Sequence, residues 1–268
     1  MRLLTGPAPG PADPVLEMAL AHALVRRASR GDIGPTLRLY RPGSATAAFG
    51  RSDLRRHGFA DAAARCVEAG FEPVVRATGG HAVAYTDQAL VLDVISPQHK
   101  PNDGMRQRFV DIGAVLADVL CDFGLDARVG EVPGEYCPGS YSINARGVTK
   151  LIGTAQRVVA GAWLLSAVVI VDDAPRLRPL LREVHAGLDL PFDPPSVGSV
   201  REEQPDVDML AVTTAITDAM TQGWNAEHAA IDAGLIAEAR GFADDHRVDV
   251  GEPPSHLPGA PASDVGAD

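Results

Sequence analysis

The sequence is poor in aromatic residues, cysteine and lysine, and it contains no long apolar run. Only 5% of its 268 residues are Phe, Trp or Tyr, so Val, Leu, Ile and Ala must fill any core. A chain of this length can bury one full core with a smaller appendage. No apolar stretch reaches the ~20 residues needed to cross a bilayer. Residues 1–14 carry Gly and Pro where a signal peptide would place its apolar segment, so a cytoplasmic location without a membrane partner is expected. The three cysteines, Cys66, Cys121 and Cys137, are odd in number and scattered, which argues against a disulfide framework and a zinc site. The histidines lack metal-ligand spacing, so no metal is expected. His22, His57 and His99 read as surface residues. There is no internal repeat and no Walker-type phosphate loop.

The net charge of -11 is unevenly spread: residues 205–268 hold 12 acidic side chains and 2 arginines. The rest of the chain is almost neutral, which leaves no electrostatic footprint for nucleic acid. The acidic end, 251–268, is rich in Pro, Gly, Ala and Asp and is expected to be disordered.

Hydrophobic periodicity predicts a helix over 13–30 with Asp13-Pro14 at its start. It predicts strands at 36–40 and 45–51 around a Pro42-Gly43 turn, and a helix at 59–69. Strands follow at 73–77 and 89–95, the latter apolar enough for burial on both faces. A helix is expected over 109–123, ended by Gly124. Two strands, 141–145 and 150–158, join across Arg146-Gly147 as a hairpin, and another runs over 163–171. Helices are predicted near 174–185, 207–221 and 231–245, the last two with apolar faces at Leu210, Ile216, Leu235 and Ile236. Strands with helices between and after them make an α+β domain with a mixed or antiparallel sheet.

Three segments could carry chemistry. Arg76-Ala77-Thr78-Gly79-Gly80-His81 lies between two strands; its bare glycines let a ligand approach the backbone, and Arg76 adds a fixed cation. An ordinary tight turn accounts for it equally well. Cys137 sits in Tyr136-Cys137-Pro138-Gly139-Ser140, where Pro and Gly argue for a reachable thiol, against the alternative of a small core side chain. Cys66 and Cys121 lie in helices, Cys121 with Leu116 and Leu120, and read as core side chains. Lys150, the only lysine besides Lys100, opens an apolar strand. It is expected to be partly buried at its stem and suited to placing a charge on a carbonyl or acting as a base. A solubilising edge-strand lysine is the plainer reading.

Taken together, these segments resemble the lipoate-protein ligase and octanoyltransferase family over about residues 10–190. Leu37-Arg38-Leu39-Tyr40-Arg41-Pro42 with Phe49-Gly50-Arg51 is similar to its strand pair ending in Gly-Arg. Val75–Gly80 with Ala82-Val83 resembles its Arg–Gly–Gly acyl-binding loop. Lys150-Leu151-Ile152-Gly153-Thr154-Ala155-Gln156-Arg157 resembles its lysine signature, and Gly134–Ser142 its cysteine loop in the cysteine-dependent amidotransferases. Two positions differ: His81 replaces a third loop glycine, and Thr86-Asp87 replaces a frequent His-Asp pair.

The resemblance implies a biotin/lipoate-ligase fold with helices on one face of a central sheet; beyond it, the apolar faces of the last two predicted helices point to a C-terminal helical extension over 191–250 packed on the catalytic domain. It implies Cys137 as nucleophile with Lys150 as its partner, and substrate contacts from Arg76, Thr78, Gly79, Gly80, His81, Gly153, Thr154, Ala155 and Gln156. Transfer of an octanoyl or lipoyl group through a Cys137 thioester to a carrier lysine is expected, with Lys150 and backbone N–H groups on the oxyanion. Its partners would be lipoyl-domain proteins (glycine cleavage H protein, 2-oxoacid dehydrogenase E2), with acyl carrier protein as a further donor. No cofactor is required in this reading. The alternatives are an ATP- and magnesium-dependent lipoate ligase using an acyl-adenylate, and a non-catalytic binder of lipoate or lipoyl domains. An extended chain from Cys137 to Asn144, opposite Lys150, would span ~23 Å, so the Pro138-Gly139 turn has to fold the loop back.

Overall fold

The structure, a computed structural model, describes residues 1–250; the expected disordered tail lies outside the described residues. In chain order the elements are β1 (Arg2–Thr5), α1 (Pro14–Arg30), β2 (Thr36–Tyr40), β3 (Thr46–Phe49), α2 (Phe59–Glu68), β4 (Glu72–Val75), β5 (Val83–Tyr85), β6 (Ala89–Pro97) and α3 (Met105–Asp122). They continue with β7 (Ala127–Val129), β8 (Ile143–Ala145), β9 (Thr149–Val159), β10 (Ala162–Ile170), α4 (Ala174–Gly187), α5 (Val200–Glu203), α6 (Met209–Thr221), β11 (Glu227–His228) and α7 (Ala233–Arg240).

Eight strands form a mixed sheet in the order β11-β1-β2-β6-β10-β9-β8-β7, and β4-β3-β5 form a second, smaller sheet. The strands predicted at 36–40 and 45–51 therefore belong to different sheets. β1, β5, β7 and β11 are short, and periodicity gave no sign of them.

Alternation along β6 sets the layers. Leu90, Leu92 and Val94 face a core shared with α3 and α6. Ile95 packs with α1 and α7, and Val91 with the small sheet, α2 and α4. Helices therefore cover both faces of the large sheet, not one, because every residue of β6 from Ala89 to Ile95 is buried and each face needs an apolar cover. After residue 190 the chain feeds these same cores: Val212 and Ile216 of α6 enter one, and Leu235 and Ala239 of α7 another. Leu210, expected on the apolar face of its helix, is instead exposed.

α1 begins as predicted, with the Asp13 carboxylate accepting from the Leu16 N–H, and ends at Gly31 in a left-handed conformation. It is buried nearly all round, which corrects the reading of His22 as a surface residue. His22 is 5% exposed, and its Nδ1 lies 3.2 Å from Nε2 of His246, whose Nδ1 reaches the Val75 carbonyl at 2.7 Å. Backbone pairing adds to this contact, since the Val75 N–H donates to the His246 carbonyl. The C-terminal segment thus clamps the end of β4, from which the Arg76–His81 loop departs. Cys121 also departs from expectation and is exposed, whereas Cys66 is buried as predicted.

Candidate active site

Between the large sheet and the α1/small-sheet layer lies a cleft, mostly apolar in lining. Met18, Tyr40, Val83 and Val168 line it, and Arg76, Cys137 and Lys150 lie along the same cleft.

Each of these groups is positioned by local structure. The β8–β9 hairpin closes through Arg146 and Gly147, both at positive φ, the backbone twist that suits a tight hairpin turn. It pairs Asn144 with Lys150 and so fixes where Lys150 enters the interior. Lys150 is 2% exposed, more deeply buried than a lysine buried only at its stem. Its Nζ donates to the carbonyls of Tyr136 (3.0 Å) and Cys137 (3.1 Å) and lies over the Tyr136 ring at 4.5 Å. Gly153 belongs to this arrangement, since a Cβ there would lie 3.3 Å from Lys150 Cε.

Glu135 supplies the opposite charge. Its Oε2 lies 3.0 Å from Nζ, off the line of a hydrogen bond, while Oε1 accepts from the Gly139 N–H at 3.1 Å. Burial depresses the Lys150 ammonium below its ordinary pKa, opposed by the negative charges of Glu135 and Cys137. Lys150 and Glu135 together fold the cysteine loop back on itself, and the Ser142 N–H to Gly139 carbonyl bond closes the turn. With two N–H groups on backbone carbonyls and its charge matched by Glu135, Lys150 is built to hold the loop.

Cys137 sits at the apex with φ 44. A non-glycine residue in this left-handed region costs about 1–3 kcal/mol and clusters at functional sites. Its Sγ accepts from Arg76 Nη2 and from the His81 backbone N–H, each at 3.1 Å. Burial pushes the thiol up, but the Arg76 and Lys150 charges and the His81 N–H outweigh it and hold Cys137 below its ordinary pKa. Cys66, buried without such neighbours, is pushed up to about 12. A thiolate is the nucleophilic form of cysteine, and the surroundings of Cys137 favour it where those of Cys66 oppose it.

The two loop glycines differ in role. Gly80 has φ 98, and a Cβ there would collide with Arg76 Nη2 and lie 2.6 Å from Cys137 Sγ. Gly79 has only the Gln156 carbonyl nearby, at 3.9 Å from a built Cβ. Gly50 accounts for the Phe49-Gly50-Arg51 segment, because a Cβ there would strike the Gly80 carbonyl.

Of the other residues singled out, Thr78, Gly153, Thr154 and Ala155 line the cleft. Gln156 is placed elsewhere: its side chain donates to the Met105 carbonyl. The His81 ring faces Asp53, with Nδ1 2.7 Å from Oδ1 of that fully buried carboxylate. Glu135 and Asp53 went unassigned in the sequence. Glu135 stands within the cysteine loop, where a carboxylate two residues before the thiol was the available signal; Asp53 gave none. Among the described residues no group of three or more His, Cys, Asp or Glu could hold a metal ion, and no helix is long and apolar enough to cross a membrane.

The lipoyl protein ligase A/B catalytic domain matches residues 13–221. An octanoyl-GcvH:protein N-octanoyltransferase of Geobacillus kaustophilus is 29% identical over 133 residues, 50% of this chain and 47% of its own. One from Exiguobacterium sp. is 30% identical over 168 residues, 59% of this chain and 57% of its own. The chain spans about half the length of these curated relatives. A crystal structure of lipoate-protein ligase A bound with ATP superposes with a TM-score of 0.72 at 23% identity, over 91% of this chain and 94% of that one, which shows a shared fold.

Proposed function

This chain belongs to the lipoyl protein ligase A/B catalytic-domain family, and from that membership we propose that it is an acyltransferase. It moves an octanoyl or lipoyl group, through a thioester on Cys137, onto a lysine of a lipoyl-domain protein. The observation that carries this reading is the Cys137 sulfur, held by Arg76 and the His81 N–H along a mostly apolar cleft. The octanoyltransferases similar to this chain are named for GcvH, and GcvH and related lipoyl domains are the partners proposed here.

In the first step Sγ attacks the donor's acyl carbon, and the donor's leaving group departs. In the second, the acceptor lysine nitrogen attacks the acyl-Cys137 carbon and Sγ leaves as thiolate, stabilised again by Arg76 and the His81 N–H. Lys150 acts by holding the loop and adding positive potential at the sulfur, and so serves as a positioning residue. No step calls for ATP, magnesium or another cofactor.

The test is intact mass spectrometry after incubation with an octanoyl donor, without ATP. The wild type and Cys66→Ala should gain one octanoyl group and pass it to a lipoyl domain; Cys137→Ala should do neither. Lipoylation that requires ATP and survives Cys137→Ala would establish the ligase instead.

A further inference from the structure

We propose that the side chain of His81 is a positioning residue for Cys137: its bond to Asp53 fixes the peptide between Gly80 and His81 so that the His81 N–H meets the cysteine sulfur. This rests on the acyltransferase reading above. Gly79 and Gly80 have no side chains, so after Thr78 the first residue of the loop able to grip the rest of the protein is His81. Glycine gives the backbone its widest range of conformations. A peptide that follows two glycines turns freely unless something outside the pair holds it.

Asp53 is a rigid anchor. It is fully buried and opens a single helical turn, Asp53–Arg55. Its Oδ2 accepts from the Gly50 N–H at 2.9 Å, and its own N–H donates to the Gly50 carbonyl at 3.0 Å. The remaining oxygen, Oδ1, accepts from His81 Nδ1 at 2.7 Å. The His81 carbonyl in turn accepts from Arg76 Nη2 at 2.6 Å. With ring and carbonyl both held, the His81 N–H is left on Sγ at 3.1 Å. The Gly80 carbonyl belongs to the same peptide as this N–H, and it packs so closely on Gly50 that a Cβ there would strike it. Gly50 and Asp53 therefore fix the two ends of one peptide.

That N–H acts with Arg76 and Lys150 to hold Cys137 below its ordinary pKa. A hydrogen bond to the thiolate favours it over the thiol, both as attacking group and as the group that leaves when the lysine amide forms. A loop free to turn would misplace the donor, and a displacement of about 1 Å in an active site can cost about 10²-fold in rate. The ring acts through the backbone; the group that meets the sulfur is the N–H. A glycine in place of His81 would keep the N–H and lose the anchor.

The experiment compares the full chain with its His81→Ala and His81→Asn variants. Asn carries its amide N–H as many bonds from the backbone as His carries Nδ1–H, so it keeps a donor to Asp53 without an imidazole. Two readouts are taken: alkylation of Cys137 by iodoacetamide as a function of pH, read on the Cys137 peptide by mass, and the rate of Cys137 acylation by octanoyl-pantetheine. In His81→Ala the alkylation midpoint should move up, because Arg76 and Lys150 still face the sulfur but the N–H is no longer held there. Acylation at saturating donor should fall about 10²-fold, with the donor KM within about threefold of wild type. His81→Asn should recover roughly tenfold or more of that loss and bring the midpoint back towards wild type. An unmoved midpoint and full acylation in His81→Ala, a His81→Asn as slow as His81→Ala, or a His81→Ala that is unfolded by circular dichroism would each overturn the assignment. Alkylation needs no acyl donor. If it shifts as expected while wild-type Cys137 takes no acyl group from octanoyl-pantetheine or octanoylated GcvH, it is the acyltransferase reading that fails.

Discussion

At the scale of single residues, the site depends on a buried ion pair more than on any exposed group. Lys150 and Glu135 are each at most 2% exposed, and each is the other's neutralising charge. Removing one partner of such a pair leaves an uncompensated charge and costs about 3–5 kcal/mol, whereas removing both is far milder. Lys150→Met should therefore lower the urea midpoint strongly and abolish acylation of Cys137. Lys150→Met combined with Glu135→Gln should recover most of the stability and little of the activity. A single variant as stable as wild type would show that the pair does not hold the loop. The sequence made Lys150 and Cys137 visible because each is chemically out of place locally, a lysine heading an apolar strand and a cysteine in a Pro-Gly turn. Glu135 and Asp53 are ordinary where they stand; only the fold brings Asp53 to His81, 28 positions later.

At the scale of elements, the Arg76–His81 loop separates two glycines that look equivalent in sequence. Gly80→Ala should eliminate acyl-enzyme formation, because the new Cβ would occupy the space of the Arg76–Cys137 contact and φ 98 disfavours any side chain. Gly79→Ala, with nothing nearer than 3.9 Å, should keep acylation within a few fold; the burst amplitude of acylated Cys137 measures both. If both variants acylate like wild type, Gly80 is an ordinary turn residue. Long elements were legible because periodicity accumulates over many residues, and α1 was found together with its cap. Within helices the same pattern misled. Cys121 follows Leu120 by one residue, about 100° round the helix, so it leaves the Leu116–Leu120 stripe and meets solvent. α1 has almost no exposed face, and its buried polar residues, Glu17 and His22, cannot be told from surface residues by period alone.

At the scale of the whole molecule, buried histidines tie stability to pH. Burial lowers His22 and His185 from 6.5 to about 4, and His246 is lowered as well. A histidine depressed in the folded state is neutral in both states above 6.5. As pH falls from 6.5 towards 4 the unfolded chain takes up protons that the folded chain refuses, so stability is lost across that window. Thermal unfolding at pH 7 and pH 5 should show a drop on the order of 5 °C, smaller in His22→Asn. A flat Tm over this range would mean that these rings are not held neutral. The layers of the fold were legible only in part, because the burial of both faces of β6 could be read from its apolar run but the helices that cover them could not.

The closure of the large sheet also bears on how the protein is made. β1 pairs in parallel with β11, and Val74 bridges to Arg247 next to the His22–His246 contact. These contacts join stretches more than 170 residues apart, so they carry a high loop-closure entropy and form late. During synthesis β1 can pair with β2 early, but its pairing with β11 and the clamp on β4 must wait for residues 227–247 to leave the ribosome. A nascent chain halted before residue 227 could hold Cys137, Arg76 and Lys150 and still lack the clamp on β4. The clamp beneath the Arg76–His81 loop therefore arrives only when residues 246 and 247 have been made.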